Sequence, residues 1–389
     1  MTPGLNLHGR IDLAGAKLSR ADARDWLARA AVWFETVGDA VLDTELVRHA
    51  DDRSELLVSF HPAADPVEVR VASSGAVGIR AITGPAGPGY HAHLAGVLDA
   101  FADDFDVPLD KIDDPTGFYR SPDLETLNRY FLDDLRKKCH LLNATAADWT
   151  GTPMPLGLPA DHGYTHPGPV LTVTGPRTRE WLAAVADDRR DGRDAFPWWN
   201  ADLDAAFYGN RALGLMWNEF PWRAPLTDDE GELTDQIAAD LATAYTLDPN
   251  AAMPWREWAE VIAAMDVDDH ELTVEPIDPA LRAEVLKRAA ESPDAKVGYR
   301  RYPVRIPLGL GWSVEVPGTF ADQWSDDGRT WQGWDKTRRI TAGFGKQPEM
   351  IGLIRSQGGL WLTVAGDTEF ADSIWANVRR EPGNEAVAG

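Results

Sequence analysis

The chain has 389 residues, 44% of them hydrophobic, and its 38 basic and 62 acidic side chains give a net charge of −24. That size predicts two or three domains. The charge argues against nucleic acid and anionic membrane surfaces, which bind through Lys and Arg. The lone Cys139 excludes an internal disulfide framework or a clustered-thiolate zinc site, and no apolar run reaches the roughly 18 residues of a membrane span.

Residues 1–117 read as an α+β unit. The first ten residues lack a basic start followed by an apolar stretch, so no secretory signal is expected and the cytoplasm is the expected location. Ser19 is a candidate N-cap for a helix over 19–37, in which Trp26, Leu27, Ala30, Ala31 and Phe34 share a face. Alternating apolar residues predict strands at 55–61, 67–72 and 76–82, the last two joined by the Ser74-Gly75 turn. The turn-rich stretch Thr83–Gly89 then feeds a second helix with Leu94, Val97, Leu98 and Phe101 on one side. The order is helix, β-meander, helix.

Residues 118–294 read as mainly helical and acidic, with 16 basic and 32 acidic residues. Ser121-Pro122 predicts the start of a helix running to Leu142, and the proline-rich 143–169 reads as a loop. A short strand at 170–173 precedes helices near 177–187, 201–217, 229–246, 254–265 and 279–291. Six of the sixteen tryptophans fall between residues 198 and 258: Trp198, Trp199, Trp217, Trp222, Trp255 and Trp258. Tryptophan is enriched both in cores and at recognition surfaces, so these six are interaction candidates with core packing as the alternative.

Residues 295–389 carry 12 basic and 11 acidic side chains and form a β-rich module. Strands are expected at 304–308, 312–316, 340–344, 350–354 and 360–364, with a closing helix at 369–378. The negative charge therefore belongs to residues 1–294.

Two partial resemblances can be drawn. Ala244-Tyr-Thr-Leu-Asp-Pro-Asn250 followed by Trp255-Arg-Glu-Trp-Ala259 resembles the junction between tetratricopeptide-type helical hairpins, within 205–265. Ala244, Pro249, Trp255 and Ala259 match that spacing, while Trp258 stands where leucine is usual. No regular repeat extends beyond this stretch, so the resemblance implies a hairpin pair and no solenoid. The phrase Gly311–Thr319 is similar to the opening strand of small α/β modules of the Mog1/PsbP/DcrB type, which implies a sheet and closing helix over 300–380.

Candidate chemistry concentrates on the loop from Gly84 to Gly89. A glycine-bearing loop between strand and helix can offer backbone amides to an anion, with His91 and His93 in the following helix as donors or acid–base groups. Gly84, Gly87, Gly89, His91 and His93 are therefore the ligand-site candidates, although Pro85 and Pro88 remove two donors and no phosphate-loop motif is present. Asp161, His162 and His166 form a weaker trio, but no metal-binding spacing supports it, and neither metal nor cofactor is expected. The aspartates from Asp103 to Asp114 lack the glycine and terminal glutamate of a calcium loop and read as a solvated linker.

These features favour a non-catalytic interaction protein of the adaptor, inhibitor or immunity type, whose acidic, tryptophan-rich helical surface meets a protein partner of basic character. A small-ligand receptor or enzyme using the glycine-rich loop with His91 or His93 is the alternative. Homo-oligomerisation through the tryptophan segment is a third reading.

Overall fold

The computed structural model describes residues 3–37, 40–49, 53–145, 153–158, 162–266, 277–292, 297–325, 327–345 and 353–380. The fold is mixed α+β, and the chain divides into two compact units. The first comprises Met1–Pro159, Gly168–Gly214 and Thr243–Ala251; the second comprises Ala160–Pro167, Leu215–Ala242 and Ala252–Gly389.

The first unit is built on a six-stranded antiparallel sheet. Its strands are β1 (Gly4–Arg10), β2 (Asp43–Arg48), β3 (Ser54–Ser59), β4 (Val67–Val71), β5 (Ala76–Ile82) and β6 (Leu109–Asp113), in the order β2-β3-β4-β5-β1-β6. Alternate residues such as Leu5, Leu7, Leu56, Val58, Val67, Val69, Val77 and Ile79 are buried against two helices, α1 (Arg20–Val37) and α2 (Pro88–Asp104). Trp26, Leu27, Ala30 and Phe34 of α1 meet Tyr90, Leu94, Leu98 and Phe101 of α2 in this core. Each large apolar side chain so buried contributes about 1.5–3 kcal/mol. Helix α1 starts where the sequence predicts: the Asp22 amide donates to Ser19 Oγ (3.1 Å) and Asp22 Oδ2 accepts from the Ser19 amide (3.0 Å), a reciprocal cap.

A second core in this unit joins α3 (Leu124–Thr145) to α4 (Arg179–Asp187) through Leu127, Phe131, Leu135, Leu182 and Val185. Helix α3 begins after Asp123, not at Ser121, because Asp123 Oδ1 accepts from the amides of Glu125 and Thr126 (3.0 and 3.4 Å). A small sheet of β7 (Met154–Leu156), β9 (Val170–Thr172) and β10 (Gly175–Arg177) lies in the same unit, as does a 3-10 turn at Arg189–Ala195. The helix α5 (Ala205–Asn218) contributes its residues up to Gly214.

The second unit holds two antiparallel sheets. One has the order β18-β12-β11-β8, from β8 (Gly163–Tyr164), β11 (Val304–Gly309), β12 (Trp312–Val316) and β18 (Val378–Arg380). The other has the order β13-β14-β15-β17-β16, from β13 (Ala321–Trp324), β14 (Thr330–Trp334), β15 (Arg339–Phe344), β16 (Leu353–Gln357) and β17 (Leu360–Ala365). Helix α6 (Asp228–Leu247) contributes its residues up to Ala242, and α7 (Trp255–Asp266) and α8 (Pro279–Glu291) complete the helical part. Helix α9 (Thr368–Ala376) closes the module, capped by Asp367 Oδ1 on the Phe370 amide (2.7 Å).

The structure adds strands that the pattern does not announce: β1, β2, β6, β7, β8, β10, β13, β14 and β18. In β8, the proline-rich stretch expected to be a loop donates two residues to the edge of β11, because Tyr164 and Gly163 pair with Val304 and Arg305. Alternation in β1 is complete, but glycine at Gly4 and Gly9 hides it.

Candidate functional site

The glycine-rich loop and two of the candidate tryptophans come together. Segment 196–200 runs against the start of α2, where the Gly89 amide donates to the Trp198 carbonyl (3.0 Å) and the Trp198 amide donates to the Ala86 carbonyl (2.9 Å). This approach explains the glycines. A Cβ on Gly89 would stand 2.1 Å from the Asn200 carbonyl oxygen, and one on Gly87, at φ +117°, would stand 2.7 Å from that of Trp198. The loop's amides are engaged within the fold: Gly84 donates to the Pro3 carbonyl (3.2 Å) and Gly87 to that of Thr83 (3.1 Å).

His91 and His93 point into different surroundings, as a spacing of two on a helix requires. His91 is fully buried, with Nδ1 2.9 Å from Thr83 Oγ1 and Nε2 3.1 Å from Thr116 Oγ1. The Thr116 hydroxyl donates to Asp114 Oδ1 (2.7 Å), so it accepts from His91 Nε2–H, and Thr83 donates to Nδ1. Asp114 also accepts from the amides of Thr116 and Tyr119 (2.8 and 2.9 Å). Burial pushes the Asp114 carboxyl up, but hydrogen bonds from His91, Tyr119 and Thr116 outweigh it and hold the group well below the usual carboxylate range. Asp114 is thus a structural anchor inside the run expected to be a solvated linker.

His93 lies on the other side, among aromatic rings. Its centroid is 4.9 Å from that of Trp198, with Tyr90 5.3 Å, His61 5.9 Å and Phe207 4.3 Å from the same indole. Trp198, Tyr90 and His61 are 1%, 0% and 2% exposed. Trp198 Nε1, Tyr90 OH, His61 Nε2 and His93 Nε2 are buried and have no hydrogen-bond partner among the described residues. His61 Nδ1 accepts from the Ala63 amide (3.0 Å), which puts the proton of the neutral ring on Nε2. Two donors, His61 Nε2–H and Trp198 Nε1–H, therefore lack acceptors. Burial lowers the His61 pKa to about 3, helped by the nearby Arg211 guanidinium, and burial lowers that of His93 to about 4. Both rings are neutral near pH 7.

Trp198 also lines a cleft of about 590 Å³, together with Trp199, Phe207, Arg177, Arg193 and Asp194. The Arg193 guanidinium lies 5.1 Å over the Trp199 ring. On the same wall Arg177 Nε stands 3.3 Å from Asp194 Oδ2, and Trp181 Nε1 donates to Asp194 Oδ1 (3.1 Å). Asp204 caps α5 through the Phe207 amide (2.9 Å), and Asn210 Nδ2 holds the Pro197 carbonyl (2.9 Å).

The other candidate tryptophans belong to different surroundings. Trp217 (8% exposed) packs on Tyr299 at 4.7 Å, and Trp258 (0%) stacks on the half-buried Trp255 at 5.7 Å, so core packing accounts for Trp198, Trp217 and Trp258. Trp222 is half-buried under the Arg301 guanidinium at 3.5 Å. His162 stands 3.6 Å from Asp322 and His166 packs on Tyr302 at 4.9 Å, while Asp161 lies outside the described residues. Among the described residues no cluster of three His, Cys, Asp or Glu is placed to hold a metal ion, and no helix is long and apolar enough to cross a membrane. Cys139 is buried in α3, and burial pushes its thiol up to about 12.

Sequence reasoning missed His61, Arg211 and Tyr90 as neighbours of Trp198. His61-Pro62 at the end of a strand is a turn signal, but nothing local says which ring it will face. No family model matches the chain, and no curated protein or solved structure shows a significant match to it.

Proposed function

We propose that the protein is a non-catalytic binding protein that receives a segment of a protein partner in the cleft beside Trp198 and Trp199. The observation that carries this reading is the make-up of that one cleft. Two tryptophans and two phenylalanines stand beside arginines and aspartates, and aromatics with arginine are the types enriched where proteins recognise proteins. The Arg193–Trp199 pair is the anchor, next in the chain to Trp198, whose backbone is hydrogen-bonded to Ala86 and Gly89. Residues 118–294, the stretch of sequence that supplies the cleft, carry 32 acidic against 16 basic side chains, a charge that favours the approach of a basic partner.

The test is affinity capture with the wild type and a Trp199→Ala/Arg193→Ala double variant at low and high salt. The reading requires a partner that the wild type retains, that salt weakens and that the double variant loses. Equal retention by both proteins would sink it.

One observation favours a second reading, a small-ligand receptor. The unpartnered donors of His61 and Trp198 suit a ligand carbonyl or carboxylate. A panel of small carboxylates and amides, followed by intrinsic fluorescence of the wild type against a Trp198→Phe variant, separates the two readings. Saturable quenching supports the receptor, and its absence across the panel removes it.

A further inference from the structure

A second cleft, of about 640 Å³, lies at the rim of the six-stranded sheet, where the start of α1 meets strands β1, β3, β4 and β5. Strand register sets His8, Gly78, Arg70 and Glu55 side by side across β1, β5, β4 and β3. Gly78 carries no side chain, and a Cβ there would meet nothing closer than His8 Nδ1 at 3.9 Å, so the row has a gap between His8 and Arg70. Glu55, only 4% exposed, accepts from Arg70 Nε (2.6 Å) and from His49 Nε2 (2.8 Å). One buried carboxylate thus fixes both a guanidinium and an imidazole along the cleft wall. Arg70 Nη2 also reaches Glu68 Oε2, at 3.0 Å.

The charge of this lining runs against that of the chain. Residues 1–117 hold 10 basic and 19 acidic side chains. Among the described residues that line the cleft, Arg20, Arg53 and Arg70 stand with His8, His49 and one carboxylate, Glu55; each arginine also has an interaction within the chain, that of Arg70 being with Glu55 and Glu68. Ser54 and Ser73 add hydroxyls, while Leu18 and Val71 supply an apolar wall.

We propose that this cleft binds a small organic phosphate. Guanidinium groups match the oxygens of a phosphate in paired hydrogen bonds, and serine hydroxyls complete its shell. The apolar wall takes the organic part. A pocket walled by low-dielectric protein concentrates its local positive field even where the overall charge is strongly negative.

Calorimetric titration of the full chain at low ionic strength tests this, with glycerol 3-phosphate, inorganic phosphate and acetate as probes. One equivalent of glycerol 3-phosphate is expected to bind, more tightly than inorganic phosphate, and acetate more weakly than either. Arg70→Gln should weaken binding by about tenfold or more, the loss of a charged hydrogen bond. Arg53→Gln reads out the same site should Arg70→Gln disturb the fold, and thermal melting of each variant checks that. Arg80→Gln, whose guanidinium pairs with Glu68 outside the cleft (3.0 Å), should change affinity by less than about twofold. Absence of saturation with both phosphates, or equal weakening by Arg80→Gln and Arg70→Gln, overturns the proposal. Tighter binding of inorganic phosphate than of its ester overturns the organic part.

Discussion

The two sides of the first turns of α2 solve the same problem differently. On one side His91 has both ring nitrogens engaged, by Thr83 and Thr116, with Asp114 behind them. On the other, His93, Tyr90 and His61 surround Trp198 and leave four buried polar atoms without partners among the described residues. A buried group that is satisfied ties elements together; a buried group that is not keeps a capacity to bind. Two histidines separated by one residue thus divide the labour, one fastening the helix and the other packing on Trp198, which lines the cleft.

The largest effect that could break this contrast is at Trp198. Trp198→Ala should cost roughly 3–5 kcal/mol in urea unfolding, because the indole is the ring on which the others pack. A loss near that of an exposed site would mean the aromatic cluster is not a core. Next comes acid. His61 and His93 have folded pKa values of about 3 and about 4, below the unfolded value near 6.5. The unfolded chain therefore takes up their protons first, and stability falls as pH drops below about 6.5, by about 2 kcal/mol per histidine at pH 5. Asp114 is depressed instead, so its contribution is intact at pH 5 and is lost only as pH falls below about 4. Thermal melts between pH 7 and 5 should show the histidine slope, and His93→Phe should flatten part of it, by about 2 kcal/mol. An unchanged slope would place the titration elsewhere.

Smaller effects test the joint itself. Gly89→Ala should cost roughly 1–3 kcal/mol, since the added carbon meets the Asn200 backbone, whereas Gly96→Ala in the same helix meets nothing and should stabilise by roughly 0.5–1 kcal/mol. Equal outcomes in chemical denaturation would deny the close approach. Thr116→Val, at about 1–2 kcal/mol, is the mildest, because it removes one link of the His91 network.

Much of the fold was legible where structure is local. The Ser19 cap, the helix at 279–291 and the strands at 67–71 and 76–82 follow from caps and alternation that lie within a few residues. The candidate loop was legible as a turn, but its partner was not, because the backbone that approaches Gly87 and Gly89 comes from residues 196–200. Asp114 reads as one aspartate among many until Thr116 and His91 are brought to it. Glu55 carried a faint signal, a carboxylate in an apolar strand. Its pairing with Arg70 and His49 depends on a register that no single strand encodes.

The position of β1 has a consequence for how the chain is made. Gly4–Arg10 is an interior strand, flanked by β5 and β6, yet it is synthesised before either of them. During translation it must wait, unpaired, until Ala76–Ile82 has left the ribosome. Only then can β6 dock and bring Asp114 to the His91 side of α2. Of the six strands, the one made first thus joins the two made last, and a change that delays its pairing would leave the fastening of α2 for last.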